Sequence, residues 1–264
     1  MARKERIDIL LVERGLAESR AAAQRFVMAG QVRVEGQVVI KSSKRVPSDV
    51  SLSVDLGPRF VSRGGEKLAA ALEAFNIDVS QRVCADVGAS TGGFTDCLIQ
   101  MGATRVYAID VGQGQLHWRL RNDPRVVVME RQNARYLEEL EEHMSLVTID
   151  VSFISLGLIF PPVTKWLKED GQVIALVKPQ FEAGREAVGR GGIVRDRDIH
   201  RQVLQDVIWA AKKHHLFPRG LMRSPLLGPK GNIEFLLWLL RVDPVQPIEK
   251  MIDMVLLGKP PKVF

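Results

Sequence analysis

The sequence predicts an α/β protein: an open, mostly parallel sheet with helices on both faces, preceded by a small α+β unit. Three observations carry this reading. From residue 82 onward, apolar β-branched segments alternate with helical stretches, the pattern of βαβ units whose strands are buried on both faces. Before residue 60 the patterning is different, with two short helical stretches followed by strand segments broken by glycine. A glycine-rich turn directly follows the first long strand, where open α/β sheets place their ligands.

The elements follow in order. Ile7, Leu10 and Leu11 have helical spacing and run into Gly15, a C-terminal cap; Ser19 then opens a second helical stretch, RAAAQRFVMAG, closed by Gly30. VRVEGQVVI and SLSVDLG predict a small curled sheet. This unit ends near Gly57 and Pro58, so the expected division is 1–59 and 60–264. A unit of that size lies near the lower limit for independent folding. Past the hinge GPRFVSRGG, the segments RVCADVG, RVYAID, RVVVME, LVTIDVS and QVIALVKP predict the strands of the sheet. NIEFLLWLLRV adds a further strand near the end.

Composition bounds the function. The 264 residues are 46% hydrophobic and 26% charged, the profile of a globular chain. The start MARKERIDILLVERG carries charges inside its apolar stretch, which is not the pattern of a secretory leader, and no run of about 18 apolar residues exists. The expected location is therefore cytoplasmic, with no membrane partner. Cys84 and Cys97 belong to no CxxC pair or histidine cluster, so neither a disulfide framework nor a bound metal is expected. The net charge is +6, and residues 1–60 hold 11 Lys or Arg against 7 Asp or Glu, so most of the excess sits in the first unit. That asymmetry points to a polyanionic partner.

The informative turn is RVCADVGASTGGFTDCL. Its first strand ends at Asp86 and Val87; Gly88, Ala89 and Ser90 follow, and Thr91, Gly92 and Gly93 lead into the next helix. Glycine lets a backbone pass close to a ligand. Twenty-four residues beyond Asp86, the second strand ends at Asp110, where an acid accepts the ribose hydroxyls of an adenosine. Asn133, after the third strand, falls where a residue would contact adenine, and Phe94 is a weaker candidate. Neither GxGxxG nor GxxxxGK[ST] is present, so dinucleotide binding and phosphate cradling lack their signatures. A plain strand-to-helix turn is the competing reading of the glycines, and Asp110 argues against it.

The set SRGGEKL, DVGASTGGFTD, AIDVGQGQL, TIDVSFISL, ALVKPQFE and GNIEFLLW, behind a basic N-terminal module, resembles the TlyA family from the start of the chain to about residue 241. The resemblance implies a ribosomal-protein-like RNA-binding domain, the alpha-L motif, joined to a Rossmann-like FtsJ-type methyltransferase that uses S-adenosyl-L-methionine. It further implies a Lys-Asp-Lys-Glu tetrad, which falls on Lys67, Asp150, Lys178 and Glu234. On the same ground the cofactor set comprises Gly88, Ser90, Thr91, Gly92, Gly93, Phe94, Asp110, Asn133 and Asp150. The implied activity is 2′-O-methylation of ribosomal RNA at cytidine, on RNA or on ribosomal subunits. The glycine-rich stretch KPQFEAGREAVGRGGIVRD reads as a mobile substrate loop.

A ribose hydroxyl is a poor nucleophile, so such an enzyme must orient and deprotonate it. Lys178, at the end of a core strand, is the expected base, with Lys67 lowering its pKa and with Asp150 and Glu234 holding the two lysines. A solvated surface lysine at Lys67, a structural salt bridge at Asp150 and Lys178, and an edge charge at Glu234 are the ordinary alternatives. In the N-terminal unit Arg3, Lys4, Arg6, Arg20, Arg25, Arg33 and Lys41 are the expected RNA contacts, since the arginine fork suits phosphate. Only Phe26 and Phe60 are aromatic there, which favours recognition of RNA shape over base stacking. The four tryptophans, Trp118, Trp166, Trp209 and Trp238, read as packing residues. Two rivals stand beside this reading: an RNA-binding protein with an inactive methyltransferase fold, and a membrane-active haemolysin, a label the family has also carried. The sequence offers no long basic amphipathic helix for the latter.

Overall fold

The structure, a computed structural model, describes residues 3–189, 191–243 and 247–259. Arg190, in the expected substrate loop, and the end of the chain from residue 260 lie outside the described residues. The chain divides into two compact units, Met1–Arg59 and Phe60–Phe264.

The first unit contains β1 (Lys4–Arg6), α1 (Ile7–Glu13), α2 (Arg20–Met28), β2 (Val32–Val34), β3 (Gln37–Val38), β4 (Arg45–Pro47) and β5 (Leu52–Val54). Ser19 caps α2 by accepting a hydrogen bond from the Ala22 amide at 3.2 Å, and Gly15 and Gly30 end the helices with positive φ. β3, β2 and β5 form an antiparallel three-stranded sheet. A second ribbon pairs β1 with β4, which no sequence pattern suggested because Lys4–Arg6 carries no apolar alternation. Ile7, Leu11, Ala23, Val27 and Val32 build the core of the unit.

The second unit contains α3 (Gly64–Ala74), β6 (Val83–Val87), α4 (Gly93–Gln100), β7 (Arg105–Ile109), α5 (Trp118–Arg121), β8 (Val126–Met129), β9 (Met144–Ile149), α6 (Phe160–Trp166), β10 (Leu167–Val177), α7 (Pro179–Glu182), α8 (Gly184–Ala187), α9 (Arg197–Lys213), β11 (Phe217–Arg223), β12 (Phe235–Leu240) and α10 (Ile248–Leu256). Its sheet has the order β11-β12-β10-β9-β6-β7-β8. The five strands from β10 to β8 run parallel, and β12 and β11 join antiparallel. Side chains from one face, such as Val87, Ile149 and Val177, pack under α6, α9 and α10; those from the other face, such as Cys84 and Ile174, pack with Leu68 of α3 and Leu98 of α4. The order reverses between β6 and β9, which places a crevice at the carboxyl ends of these two strands.

The structure corrects two readings of the aromatic residues. Phe60 belongs to the second unit, buried against Gly65, where any Cβ would lie 2.3 Å from its ring. Trp166 and Trp238 are buried, whereas Trp118 and Trp209 are exposed, since α5 is a single turn and Trp209 lies on the outer face of α9. Among the described residues no helix is long and apolar enough to cross a membrane, and no cluster of His, Cys, Asp and Glu could hold a metal.

Candidate active site

Two clefts, each of about 420 Å³, meet at the carboxyl ends of β6 and β9, sharing Gly88, Ser90, Asp150 and Ser152 as common walls. The first is polar in its chemistry and is lined by all four tetrad residues, Lys67, Asp150, Lys178 and Glu234. The second is backed by Ile109, Val111, Ala134, Ile154 and Ile159 and carries Asp110 and Asn133. It matches the size and lining of a small-ligand site, apolar walls with a few placed polar groups.

Around the polar cleft the charges form two separate pairs. Lys67, on α3, donates to Glu234 at 2.5 Å; the lysine is 9% and the glutamate 1% exposed, so neither is a solvated surface charge. Gln180 approaches the other oxygen of Glu234 at 3.5 Å. Gly228 makes room for this carboxylate, because a Cβ there would stand 2.0 Å from Glu234 Oε1. Lys178 reaches Asp150 at 2.6 Å and donates to Ser152 Oγ at 2.9 Å. Each lysine thus has its own carboxylate. Parallel strands bring Asp150 and Lys178 side by side: Ile149 and Ala175 are register partners, so both strands end at one edge of the sheet.

Two acids overlooked as site residues support this edge. Glu182 accepts from the Leu156 amide at 2.9 Å and from Ser155 Oγ at 2.7 Å, tying the segment after Lys178 to the segment after Asp150. Burial raises its pKa. Asp86 is fully buried and accepts from both the amide and hydroxyl of Thr95, at 2.8 and 2.7 Å. Burial first, and the charge of Asp150 in addition, push Asp86 up to about 7. The signal was present in the sequence, an acid inside an apolar strand, but β6 reads equally well as a plain buried strand end.

The second cleft fits an adenosine with a polar tail. Asp110 accepts from the Ser90 amide (2.8 Å, Oδ2) and from the Gly112 amide (2.7 Å, Oδ1), which fixes the carboxylate and leaves each oxygen a further lone pair for a ribose hydroxyl. Gly88, at φ +84°, passes so close to Asp150 that a Cβ would meet its carbonyl oxygen at 2.6 Å. Asn133 caps the turn Ala134–Tyr136 through the Arg135 amide and lines the apolar cleft. Thr91, Gly93 and Phe94 line the polar cleft instead, Phe94 being buried. Gly92 lines neither cleft; its missing Cβ admits Leu116 and Leu120 against the turn. With Gly88, Ser90, Asp110, Asn133 and Asp150 on one cleft, the residues present fit S-adenosyl-L-methionine.

Two of the expected RNA contacts of the first unit, Arg6 and Arg20, converge on one buried acid, Asp8. Asp8 receives both ends of the Arg6 guanidinium at 2.9 Å, Arg20 at 3.0 Å and Gln24 at 2.9 Å. These donors hold its carboxyl far below the ordinary range, Arg6 foremost. Arg20 keeps 55% of its side chain exposed, so it is held in place and still accessible. Arg25, Lys4 and Lys41 are exposed, whereas Arg3 pairs with Glu5 at 3.2 Å and Arg33 with Asp55 at 3.9 Å.

The chain resembles known proteins over most of its length. Residues 60–241 match the profile of the FtsJ-like methyltransferases and residues 5–50 that of the S4 domain. It is 47% identical over 243 residues to the 16S/23S rRNA (cytidine-2′-O)-methyltransferase TlyA of Mycobacterium tuberculosis (strain ATCC 25618 / H37Rv), covering 90% of this chain and 91% of that one. It is 41% identical over 234 residues to Hemolysin A of Brachyspira hyodysenteriae, covering 88% and 98%. A solved structure from Streptococcus thermophilus that carries a hemolysin name superposes with a TM-score of 0.71 at 45% identity, over 97% of this chain and 96% of that one.

Proposed function

Because the chain belongs to the FtsJ-like methyltransferase family, and within it to the TlyA group, we propose that it methylates the ribose 2′-hydroxyl of a cytidine in ribosomal RNA, with S-adenosyl-L-methionine as the methyl donor. The observation that carries this reading is the convergence of two lysine–carboxylate pairs on one cleft that shares a wall with the Asp110 pocket. A binding protein has no need of two lysines and two acids gathered at the strand ends. Residues 1–59 then serve as the RNA-binding domain and 60–264 as the methyltransferase, working in the cytoplasm where ribosomal subunits are.

The bound cofactor supplies a methyl group on a sulfonium, a strong electrophile. Gly88, Ser90, Asp110 and Asn133 would hold its nucleoside end, and Asp150 stands where the two clefts meet. Lys178, in its neutral amine form, would orient the ribose hydroxyl and accept its proton. Asp150, 2.6 Å away, stabilises the ammonium that results. Lys67, locked on Glu234, places a fixed positive charge on the opposite wall, and Ser152 sets the direction of Lys178.

The test incubates the parent protein and Lys178→Ala with methyl-labelled S-adenosyl-L-methionine and unmodified ribosomal subunits, and identifies the labelled nucleoside by mass spectrometry. Label on the 2′-oxygen of cytidine that disappears in Lys178→Ala is the expected result. Label on a base, or undiminished label in the variant, overturns the reaction or the base assignment respectively.

A further inference from the structure

On the sheet face opposite Lys67 and Glu234, at the end of the β11–β12 hairpin, lies a smaller pocket of about 190 Å³, lined by Arg195, Arg197, His200, Arg223, Ile233, Phe235, Val255 and Leu256. Three guanidiniums share it, and no carboxylate lines it. Four other arginines of this unit have acid partners, Arg105 with Glu142, Arg121 with Glu130, Arg125 with Asp123 and Arg201 with Asp253, whereas others, such as Arg131 and Arg241, bond only to neutral oxygens. Among the described residues, Arg195, Arg197 and Arg223 have no acid partner; Arg197 donates only to the Leu256 carbonyl. Like charges gathered around one cavity repel each other unless an anion enters it.

The pocket is also built. Arg195 follows Val194, whose amide donates to the side chain of Asn232 at 3.0 Å and whose carbonyl meets His200 Nε2 at 3.2 Å. Asn232 and His200 are 2% and 3% exposed. Asn232 further donates to the carbonyls of Gly192 at 2.9 Å and Pro229 at 3.3 Å, so one buried amide joins the glycine-rich segment to the turn that leads into Glu234. Burial, assisted by the charge of Arg223 and opposed by the Val194 carbonyl and Asp196, lowers the pKa of His200. Arg223 is the register partner of Phe235, and the next residue, Ser224, donates its amide to the Glu234 carbonyl at 2.8 Å. Arg223 therefore stands beside the backbone of a tetrad residue, and Arg195 follows a residue tied to Asn232, two positions before it.

We propose that Arg195, Arg197 and Arg223 form a phosphate subsite that grips one phosphodiester of the RNA near the target nucleotide, registering the strand against the cleft. The volume is below the roughly 300–1,000 Å³ of pockets that enclose whole small molecules, and it suits a single anionic group. Arginine forks bind phosphate bidentately and supply positioning without sequence information. This subsite rests on the RNA-methyltransferase reading above.

The experiment uses the full chain, the double variant Arg195→Gln/Arg223→Gln and its counterpart Arg195→Lys/Arg223→Lys. Steady-state methyl transfer to unmodified ribosomal subunits is measured together with binding of ribosomal RNA over a series of KCl concentrations. The glutamine variant is expected to raise the RNA KM about tenfold and to make the plot of log Kd against log salt shallower by about one. Its kcat at saturating RNA and its cofactor affinity stay at the parent values. The lysine variant keeps the parent slope and loses part of the affinity, because the charge remains and the fork does not. An unchanged slope and KM overturn the subsite while leaving the methyltransferase reading intact. So does a kcat lost equally in both variants together with a lowered melting temperature, which assigns the arginines a structural role. Inorganic phosphate that stabilises the parent but not the glutamine variant, with the RNA slope unchanged, gives the pocket to a free anion and overturns the RNA contact. A parent protein that methylates no RNA overturns both readings.

Discussion

Removing the Glu234 carboxylate should cost far more than a surface ion pair is worth. The pair joins residues 167 positions apart, at 2.5 Å, with both partners buried. Exposed pairs contribute about 0–1 kcal/mol, whereas removing one partner of a buried pair costs about 3–5 kcal/mol because the other charge stays desolvated. Glu234→Gln keeps the shape and an acceptor oxygen, so about 3 kcal/mol is expected from that range. Lys67→Met leaves Glu234, at 1% exposure, without its cation, and falls toward the upper end. The double variant Lys67→Met/Glu234→Gln removes the stranded charge in both senses. Its loss should fall short of the sum of the single losses by about 2 kcal/mol or more. Urea unfolding at neutral pH reads this from tryptophan fluorescence, since the buried Trp166 and Trp238 report on the second unit. Single losses below about 1 kcal/mol, additive to within about 0.5 kcal/mol, would refute the claim that the pair is desolvated and coupled.

Three further outcomes follow from the same geometry. Asp110→Ala strands the amides of Ser90 and Gly112 and removes the ribose acceptor, so calorimetry should show the Kd for S-adenosyl-L-methionine raised about 10- to 100-fold, the equivalent of about 1.4–2.8 kcal/mol. Unchanged affinity would move the nucleoside elsewhere. Asp86 has its pKa raised from 3.8 to about 7, so folding favours its protonated form. The stability that this contributes is complete below 3.8 and is lost as pH rises through about 7, at no more than about 1.4 kcal/mol per pH unit. Asp86→Asn should therefore gain on the parent between about pH 4 and 8, and parallel stability curves would contradict the burial argument. Gly228→Ala forces its new methyl against Glu234 Oε1. Methyl transfer should fall while cofactor binding persists, and a variant with the parent kcat would show that the turn yields without disturbing the pair.

Much of the fold was readable because its causes are local. Runs such as RVCADV and QVIALV can satisfy their apolar side chains only as strands buried on both faces, and Ser19 and Gly30 mark helix ends through backbone chemistry that acts within a few residues. The antiparallel return of β12 onto β10 was not readable from periodicity, because a fully buried strand shows the same apolar run in either direction. Trp118 and Trp209 misled for a related reason: an aromatic residue within a helical stretch is equally compatible with the covered and the open face of that helix, and here both are on the open one.

The site divides along the same line. Asp150 and Lys178 announce themselves, since a charge that ends an apolar parallel strand is expensive unless it is paired, and the register of β9 with β10 brings the two together. Lys67 and Glu234 carry no such local mark; a lysine in the first turns of a helix and a glutamate ahead of an edge-side strand look ordinary until α3 packs across the sheet and closes both from water. Asp8 is the extreme case, an acid within a basic module whose meaning lies wholly in the two guanidiniums and the amide that converge on it. The same physics links these positions. An unpaired charge is costly to bury, and among the described residues the buried acids Asp8, Asp86 and Glu234 each accept from donors while the buried Lys67 donates to Glu234. The arginines around the pocket of Arg195 and Arg223 break that pattern at the surface, where unmatched charge is tolerated in the free protein and becomes an attraction for an anion.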